Sequence, residues 1–389
     1  MKLPFHFLGL NLLLLGWVLH GEAQPNHEVE GGVFGGKMLN IYPNFPTTKW
    51  HSGIFIAWRH WAPSVPNEQF GKPQTGFILS YHNMGNQAVL GIGLGAQYEI
   101  AWRQNLSSRI YVQERFRPGV LFANKPYDSN SNPKNIVIGS HLSALMGVSF
   151  GIGYRVSKGV RLNLDCSVWH SSNGHTALPN VGMNSPLMSI SFSYSIPTKE
   201  TNEVKLDIRH DSSSVQLVLG AAIGFNEAGG TVRPVNTGLY QKYLTSIGVG
   251  YRFRDIHRVT AALEGYFDQT YSLWNQSQEW PDGSDRIRSS ALMLMLGHEF
   301  IYQRWGLIIN GGVNIYNPTL NDLVGQVERK NTANTIKRYV PGRFAIRYYL
   351  QHPWRSNSSP YVQAGIKSNF GQADFLEFGL GWVISSPRR

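Results

Sequence analysis

The chain is short of charge and of cysteine. Only 15% of its 389 residues are Asp, Glu, Lys or Arg, against roughly 25% in soluble domains. Its one thiol, Cys166, excludes an internal disulfide and any Cys-based zinc site. Past the N-terminal segment no stretch reaches the ~18 apolar residues that cross a bilayer as a helix. Mean hydropathy is −0.23, so a bundle of membrane helices is excluded. Acidic residues are the scarcer sign, 24 against 35 basic ones, for a net charge of +11. Ala, Glu, Lys and Leu do not dominate, which rules out a long coiled coil. What the chain does hold is 41 Gly, 18 Tyr, 19 Phe and 11 Trp, too many aromatics for a disordered chain. Polar on average yet rich in aromatics and glycine is the balance of a transmembrane β-barrel, whose strands show lipid only every second side chain. A secreted β-sandwich would share part of it.

The first residues point to export. Lys2 supplies a positive start, Phe7 to Leu19 is mostly apolar around Leu12-Leu13-Leu14-Leu15, and Gly21-Glu22-Ala23 offers small residues where signal peptidase reads. A signal peptide over residues 1–23, cleaved after Ala23, is expected. An uncleaved helical anchor is the alternative, and the apolar run is short for one.

Alternation then runs through segment after segment. In 91–103, Ile92, Leu94, Ala96, Tyr98, Ile100 and Trp102 alternate with Gly, Gln, Glu and Arg. From Arg161, Leu162, Leu164, Cys166 and Val168 oppose Asn163, Asp165 and Ser167. From Pro186, Met188, Ile190, Phe192, Tyr194 and Ile196 oppose four serines. Near the end, Leu376, Phe378, Leu380, Trp382 and Ile384 oppose Glu377, Gly379 and Gly381. These segments exceed the 5–6 residues usual in sandwich strands and suit tilted membrane strands, the apolar set facing lipid. Short connections near Gln104–Ser107, Val156–Gly159, Asp255–His257 and Tyr302–Arg304 alternate with long polar ones. Short turns belong to the periplasmic rim and long loops to the outside. The expected fold is all-β, an antiparallel outer-membrane barrel of about 14–16 strands. Because Pro197 to Ser214 breaks the rhythm, two tandem eight-stranded barrels are the alternative. The corresponding regions are 24–197, carrying the site described next, and 198–389, further strands of no assigned role.

One constellation carries chemistry. The lipid-facing register through Cys166 and Val168 continues to His170 and Ser172, a base and a hydroxyl about 6.5–7 Å apart at Cα on one face. An ionisable group on a lipid face is a functional candidate by default, although strand ends also carry His and Ser as plain interfacial residues. His82 and His298 sit in strands with no partner nameable from sequence. No metal-ligand spacing such as His-Glu-x-x-His occurs, and no phosphate-cradling loop; no metal or cofactor is expected.

Trp169-His170-Ser171-Ser172-Asn173-Gly174, followed by Leu178-Pro179-Asn180-Val181-Gly182-Met183-Asn184, resembles the signature of the lipid A 3-O-deacylases, outer-membrane acyloxyacyl hydrolases on an eight-stranded barrel. The resemblance implies His170 as base, Ser172 as nucleophile and Asn180 as oxyanion donor, with Asn173 beside it. The family's usual Glu falls on Asn184, so the triad would be Ser-His-Asn. A shorter echo, Gly365-Ile366-Lys367-Ser368-Asn369-Phe370, precedes the last alternating strand. The expected function is removal of the 3-O-linked acyl chain of lipid A in the outer leaflet of a Gram-negative outer membrane. Lys125, Lys134, Arg233, Arg286, Arg288, Arg329, Lys330, Lys337 and Arg338 in the long loops would meet the anionic lipopolysaccharide head groups. Nucleic acid is not an expected partner of an exported barrel; a second copy of the chain is. The alternatives are a weak or inactive porin-like or lipid-binding barrel, and a phospholipase-like esterase.

Overall fold

The computed structural model describes residues 27–61, 73–196, 213–254, 256–278, 280, 284–327, 332–353, 356–370 and 372–385. The expected signal peptide, most of the 197–214 segment, Arg329 and Lys330 lie outside the described residues.

Sixteen strands form two closed antiparallel barrels of eight. The first comprises β1 (His27–Lys37), β2 (Trp50–His60), β3 (Gln74–Asn83), β4 (Ile92–Asn105), β5 (Ile110–Ala123), β6 (Leu142–Arg155), β7 (Val160–Ser172) and β8 (Met183–Ile196). The second comprises β9 (Ser214–Glu227), β10 (Leu239–Phe253), β11 (His257–Asp268), β12 (Ser290–Tyr302), β13 (Trp305–Tyr316), β14 (Pro341–Tyr349), β15 (Ser358–Asn369) and β16 (Gln372–Ser385). Four helices cap connections of the second: α1 (Gln269–Ser277), α2 (Asp285–Arg288), α3 (Pro318–Val327) and α4 (Thr332–Tyr339). The all-β barrel class is as expected, but the single large barrel gives way to the two-barrel alternative. The reason is register: β8 turns back onto β1 from His27↔Ile196 to Gly36↔Leu187, and β16 onto β9 from Leu376↔Phe225 to Ser385↔Gln216. Glycine makes the first seam fit, since a Cβ at Gly36 would fall 2.1 Å from the Pro186 carbonyl oxygen.

The alternation in sequence is the alternation in space. Leu164, Cys166 and Val168 of β7 are exposed on the outer face while Asn163, Asp165 and Ser167 are buried inside. Leu94, Phe192, Leu296 and Leu380 are likewise outward and exposed, which in water would be untenable and in hydrocarbon is the favourable arrangement. The turns at 106–109 and 156–159 of the first barrel and at 303–304 of the second lie on the rim opposite the long connections 124–141 and 173–182 of the first and 228–238 of the second. Cys166, exposed on the outer belt, should resist a water-soluble, membrane-impermeant thiol reagent in intact cells. Rapid labelling would mean that this face meets water.

Both interiors are filled rather than open, as expected of eight strands. In the first, Arg59 donates to Glu28 (3.0 Å), Glu30 (2.6 Å) and Glu99, all fully buried. Arg115 grips Glu30 at 2.8 and 3.0 Å, and Arg161 reaches Glu28 at 2.8 Å. In the second, Arg258 and Arg347 share Glu299 at 2.6 and 3.1 Å, and Arg343 pairs with Glu264 and Glu377. A cavity of about 60 Å³ lies among these groups, room for a few waters but not for a solute pathway. Charges buried this way depend on every partner. Arg59→Ala, which takes one cation from three buried carboxylates and leaves Glu28 to Arg103 and Arg161, Glu30 to Arg115 and Glu99 to Arg117, should cost about 3–5 kcal/mol, read as an early thermal transition in detergent. A transition within a degree of the parent would mean that the network is dispensable.

Candidate active site

The site is built where β7 and β8 reach the long-loop rim of the first barrel. Their register sets His170 directly opposite Asn184, both on the outward face, and Ser172 follows His170 on that face. His170 donates from Nδ1 to Oδ1 of Asn184 at 2.9 Å. This fixes the tautomer and leaves Nε2 as the nitrogen able to take a proton. Ser172 is buried, 7% exposed, and its Oγ accepts from Asn180 Nδ2 at 2.9 Å.

The loop that delivers Asn180 is held at several points. Val181 and Gly182 donate backbone N–H groups to the carbonyls of Ile136 and Val137, each at 3.1 Å. Asn135 Oδ1 in turn accepts from the amides of Val137 and Ile138. Gly182 has φ +77°, and a Cβ there would press on Ser171 O (3.1 Å) and His170 Cε1 (3.4 Å). Glycine therefore lets the loop close over the histidine. Asn173, set beside Asn180 by the resemblance, is bonded into the same loop. Its two amide hydrogens go to Ser140 Oγ (3.2 Å) and Ala177 O (2.7 Å), while its backbone N–H reaches Asn180 Oδ1 at 3.4 Å. In this geometry Asn173 shapes the loop and steadies Asn180, whose side-chain amide reaches Ser172.

A second set of residues, not nameable as partners from sequence, lies behind the same wall. Ser185, next to Asn184 but pointing inward, bonds His51 Nδ1 at 2.8 Å. His51 Nε2 meets His82 Nδ1 at 3.1 Å, and His82 Nε2 meets Ser80 Oγ at 2.8 Å. Trp169, next to His170, packs on His82 and Phe34 with ring centroids 5.0 and 5.2 Å apart. The inward neighbours of both His170 and Asn184 are thus locked in one buried cluster. His298 also finds a partner, His257, at 3.2 Å on the outer face of the second barrel.

The echo in the second barrel is now interpretable. Ser368 and Asn369 close β15 where Ser172 closes β7 and Asn173 follows it, but the residue in the place of His170 is Ile366, and opposite it stands Leu376. Only residues 370 and 371 join β15 to β16, so there is no counterpart of the Asn180 loop. Among the described residues the histidines of this barrel, His257, His298 and His352, lie at or near the short-turn rim.

Two closed barrels with apolar outer belts make this an outer-membrane-type β-barrel protein. Its residues 213–386 match the family described as acyloxyacyl hydrolase, C-terminal domain. The resemblance read from sequence is thus met at the level of the family, on the half of the chain for which sequence reasoning assigned no role. No curated protein matches. Among solved structures, Neisserial surface protein A is 12% identical over 45% of this chain and 100% of its own, with a TM-score of 0.30. The KdgM porin is 9% identical over 75% and 94%, TM-score 0.17, and Acinetobacter baumannii OccAB3 is 8% identical over 92% and 98%, TM-score 0.21. Such likenesses carry nothing about function.

Proposed function

We propose that the chain is an outer-membrane esterase that removes the 3-O-linked acyl chain of lipid A, with its catalytic set in the first barrel and a signal peptide cleaved after Ala23. Ser172 Oγ attacks the ester carbonyl while His170 Nε2 takes its proton. The resulting oxyanion is held by the amide of Asn180. The C–O bond to the glucosamine then breaks, the sugar oxygen leaving with the proton from His170. Water, deprotonated by His170, releases the fatty acid from Ser172. Asn184 keeps Nδ1 protonated and the ring in place. The chemistry of these groups calls on no metal or cofactor.

The observation that carries this reading is the placing of two bonded pairs, His170 with Asn184 and Asn180 with Ser172, at one strand–loop–strand corner on the outer face. A lipid ester can enter that corner sideways while its acyl chains stay in the leaflet. The region that matches the hydrolase family supports the reaction class, while Ile366 and Leu376 argue that the chemistry is done in the other barrel. The experiment is mass spectrometry of lipid A from cells expressing the chain beside a Ser172→Ala control. Loss of one 3-hydroxyacyl chain only with the parent is the expected result. Unchanged lipid A with new lysophospholipid would instead make the chain a phospholipase, and no change in either lipid would make it a non-enzymatic barrel.

A further inference from the structure

The second barrel, lacking base, orienting residue and oxyanion loop at the position of the catalytic corner, has its own distinctive rim. Helices α2 and α4 both end over the outer end of β13. Tyr316 donates its hydroxyl to Ile287 O at 3.3 Å, and Asn314 donates to Arg338 O at 2.7 Å. These two helix ends bring Arg286 and Arg288 to the same strand as Lys337 and Arg338. Of the four, Arg288 alone has a carboxylate partner among the described residues, Asp322 at 2.5 Å, and its guanidinium also lies 3.8 Å over the Trp280 ring. The Nε atoms of Arg288 and Arg338 are shielded and have no hydrogen-bond partner among the described residues. Between the cations, Ile287 is 68% and Tyr339 53% exposed.

Cations with unspent donors, interleaved with exposed apolar side chains, stand here at the rim where hydrocarbon gives way to head groups. Long basic side chains can lay their stems along lipid and hold phosphate with their heads. The whole chain carries +11, yet both barrel interiors pair their arginines with carboxylates, so part of the excess is displayed at such rims. We infer that the second barrel is a docking barrel, and that this patch binds the phosphates of a phosphorylated lipid A head group in the outer leaflet. The inference rests on the lipid A reading above for its choice of lipid. It adds a recognition site separate from the catalytic corner.

The test uses the full chain carrying Ser172→Ala, so that binding is read without turnover, with fluorescent bis-phosphorylated lipid A in detergent micelles. Arg286→Gln/Lys337→Gln/Arg338→Gln, checked for heat-modifiable migration as a folded barrel, should weaken binding about tenfold. The loss should shrink at high salt, where exposed charges are screened, and vanish for dephosphorylated lipid A. Lys158→Gln, in the exposed turn on the short-turn rim of the first barrel, should bind like the parent. In chains that keep Ser172, the triple variant should raise KM and leave kcat unchanged. Binding equal to the parent overturns the inference, as does an equal loss towards dephosphorylated lipid. An equal loss towards phosphatidylglycerol micelles also overturns it, because the patch would then serve any anionic surface. None of these binding outcomes depends on whether the chain hydrolyses lipid A, so the docking inference and the deacylase reading can fail separately.

Discussion

Ser172→Ala and His170→Ala should each remove nearly all acyl release, a loss on the order of 10³-fold or more, and the double variant should lose no more than either alone. Groups that act as one nucleophilic unit behave this way: once the hydroxyl is gone the base has nothing to deprotonate, and without the base the hydroxyl is a poor nucleophile. The geometry gives the expectation its particular form. His170 is oriented through Nδ1 by Asn184, so its catalytic duty falls to one nitrogen and His170→Gln should not rescue it. Ser172 Oγ already sits 2.9 Å from Asn180 Nδ2. A residual rate in Ser172→Ala would therefore reflect Asn180 and the loop polarising the carbonyl towards water. Initial rates on purified protein in lipid A micelles decide this. Additive losses, or a fully active Ser172→Ala, would remove both residues from the chemistry.

Much of the fold was legible because a barrel strand writes its environment every second residue. The runs from Gly91, Arg161 and Pro186 marked β4, β7 and β8 with the correct face outward, and Cys166 fell on the outer belt. The closure was less legible. Nothing in the alternation of β1 or β8 says that they pair with each other; Gly36 is small for that reason, but the pair Gly35-Gly36 reads the same in a turn. The helices over the second barrel sit in segments that look like polar loops, and α1 is begun by Asp268, whose carboxylate caps Thr270 and Tyr271, a short-range signal easily lost among loop residues. At the site, spacing alone set His170 and Ser172 on one face, while Asn180 and Asn184 were named only through the resemblance; the hairpin brings Asn184 to His170 and Asn180 to Ser172. The relay from Ser185 through His51 and His82 was not legible. It joins β8, β2 and β3, and those neighbours exist only once the barrel is closed. Asn173 shows the same limit on a smaller scale: the resemblance set it beside Asn180, but that its side-chain amide donates to Ser140 and Ala177 is visible only in the folded loop.

Asn184→Glu should raise the rate. Asn184 Oδ1 accepts from His170 Nδ1 at 2.9 Å, so the amide already does the geometric half of the work done by a triad carboxylate. What it omits is charge. As Ser172 yields its proton, His170 becomes an imidazolium on the lipid side of the barrel, where the dielectric is low and an adjacent negative charge is worth most. In a serine-protease triad, exchanging Asp for Asn costs about 10⁴ in kcat, partly through the wrong tautomer. Here the tautomer is already fixed, so a smaller gain, about tenfold or somewhat more, is expected. The longer Glu side chain has room to adjust, since Asn184 is only half-buried and its inward neighbour Ser185 is anchored separately to His51. The gain should appear in kcat rather than KM, because the imidazolium forms only on the way to the tetrahedral intermediate. The rate should also fall less steeply towards low pH in the parent protein than in the Glu variant, whose carboxylate loses its benefit once protonated. If Asn184→Glu instead slows a robust parent, the amide is not a weakened orienter, and the neutral hydrogen bond is what this corner of the barrel is built to provide.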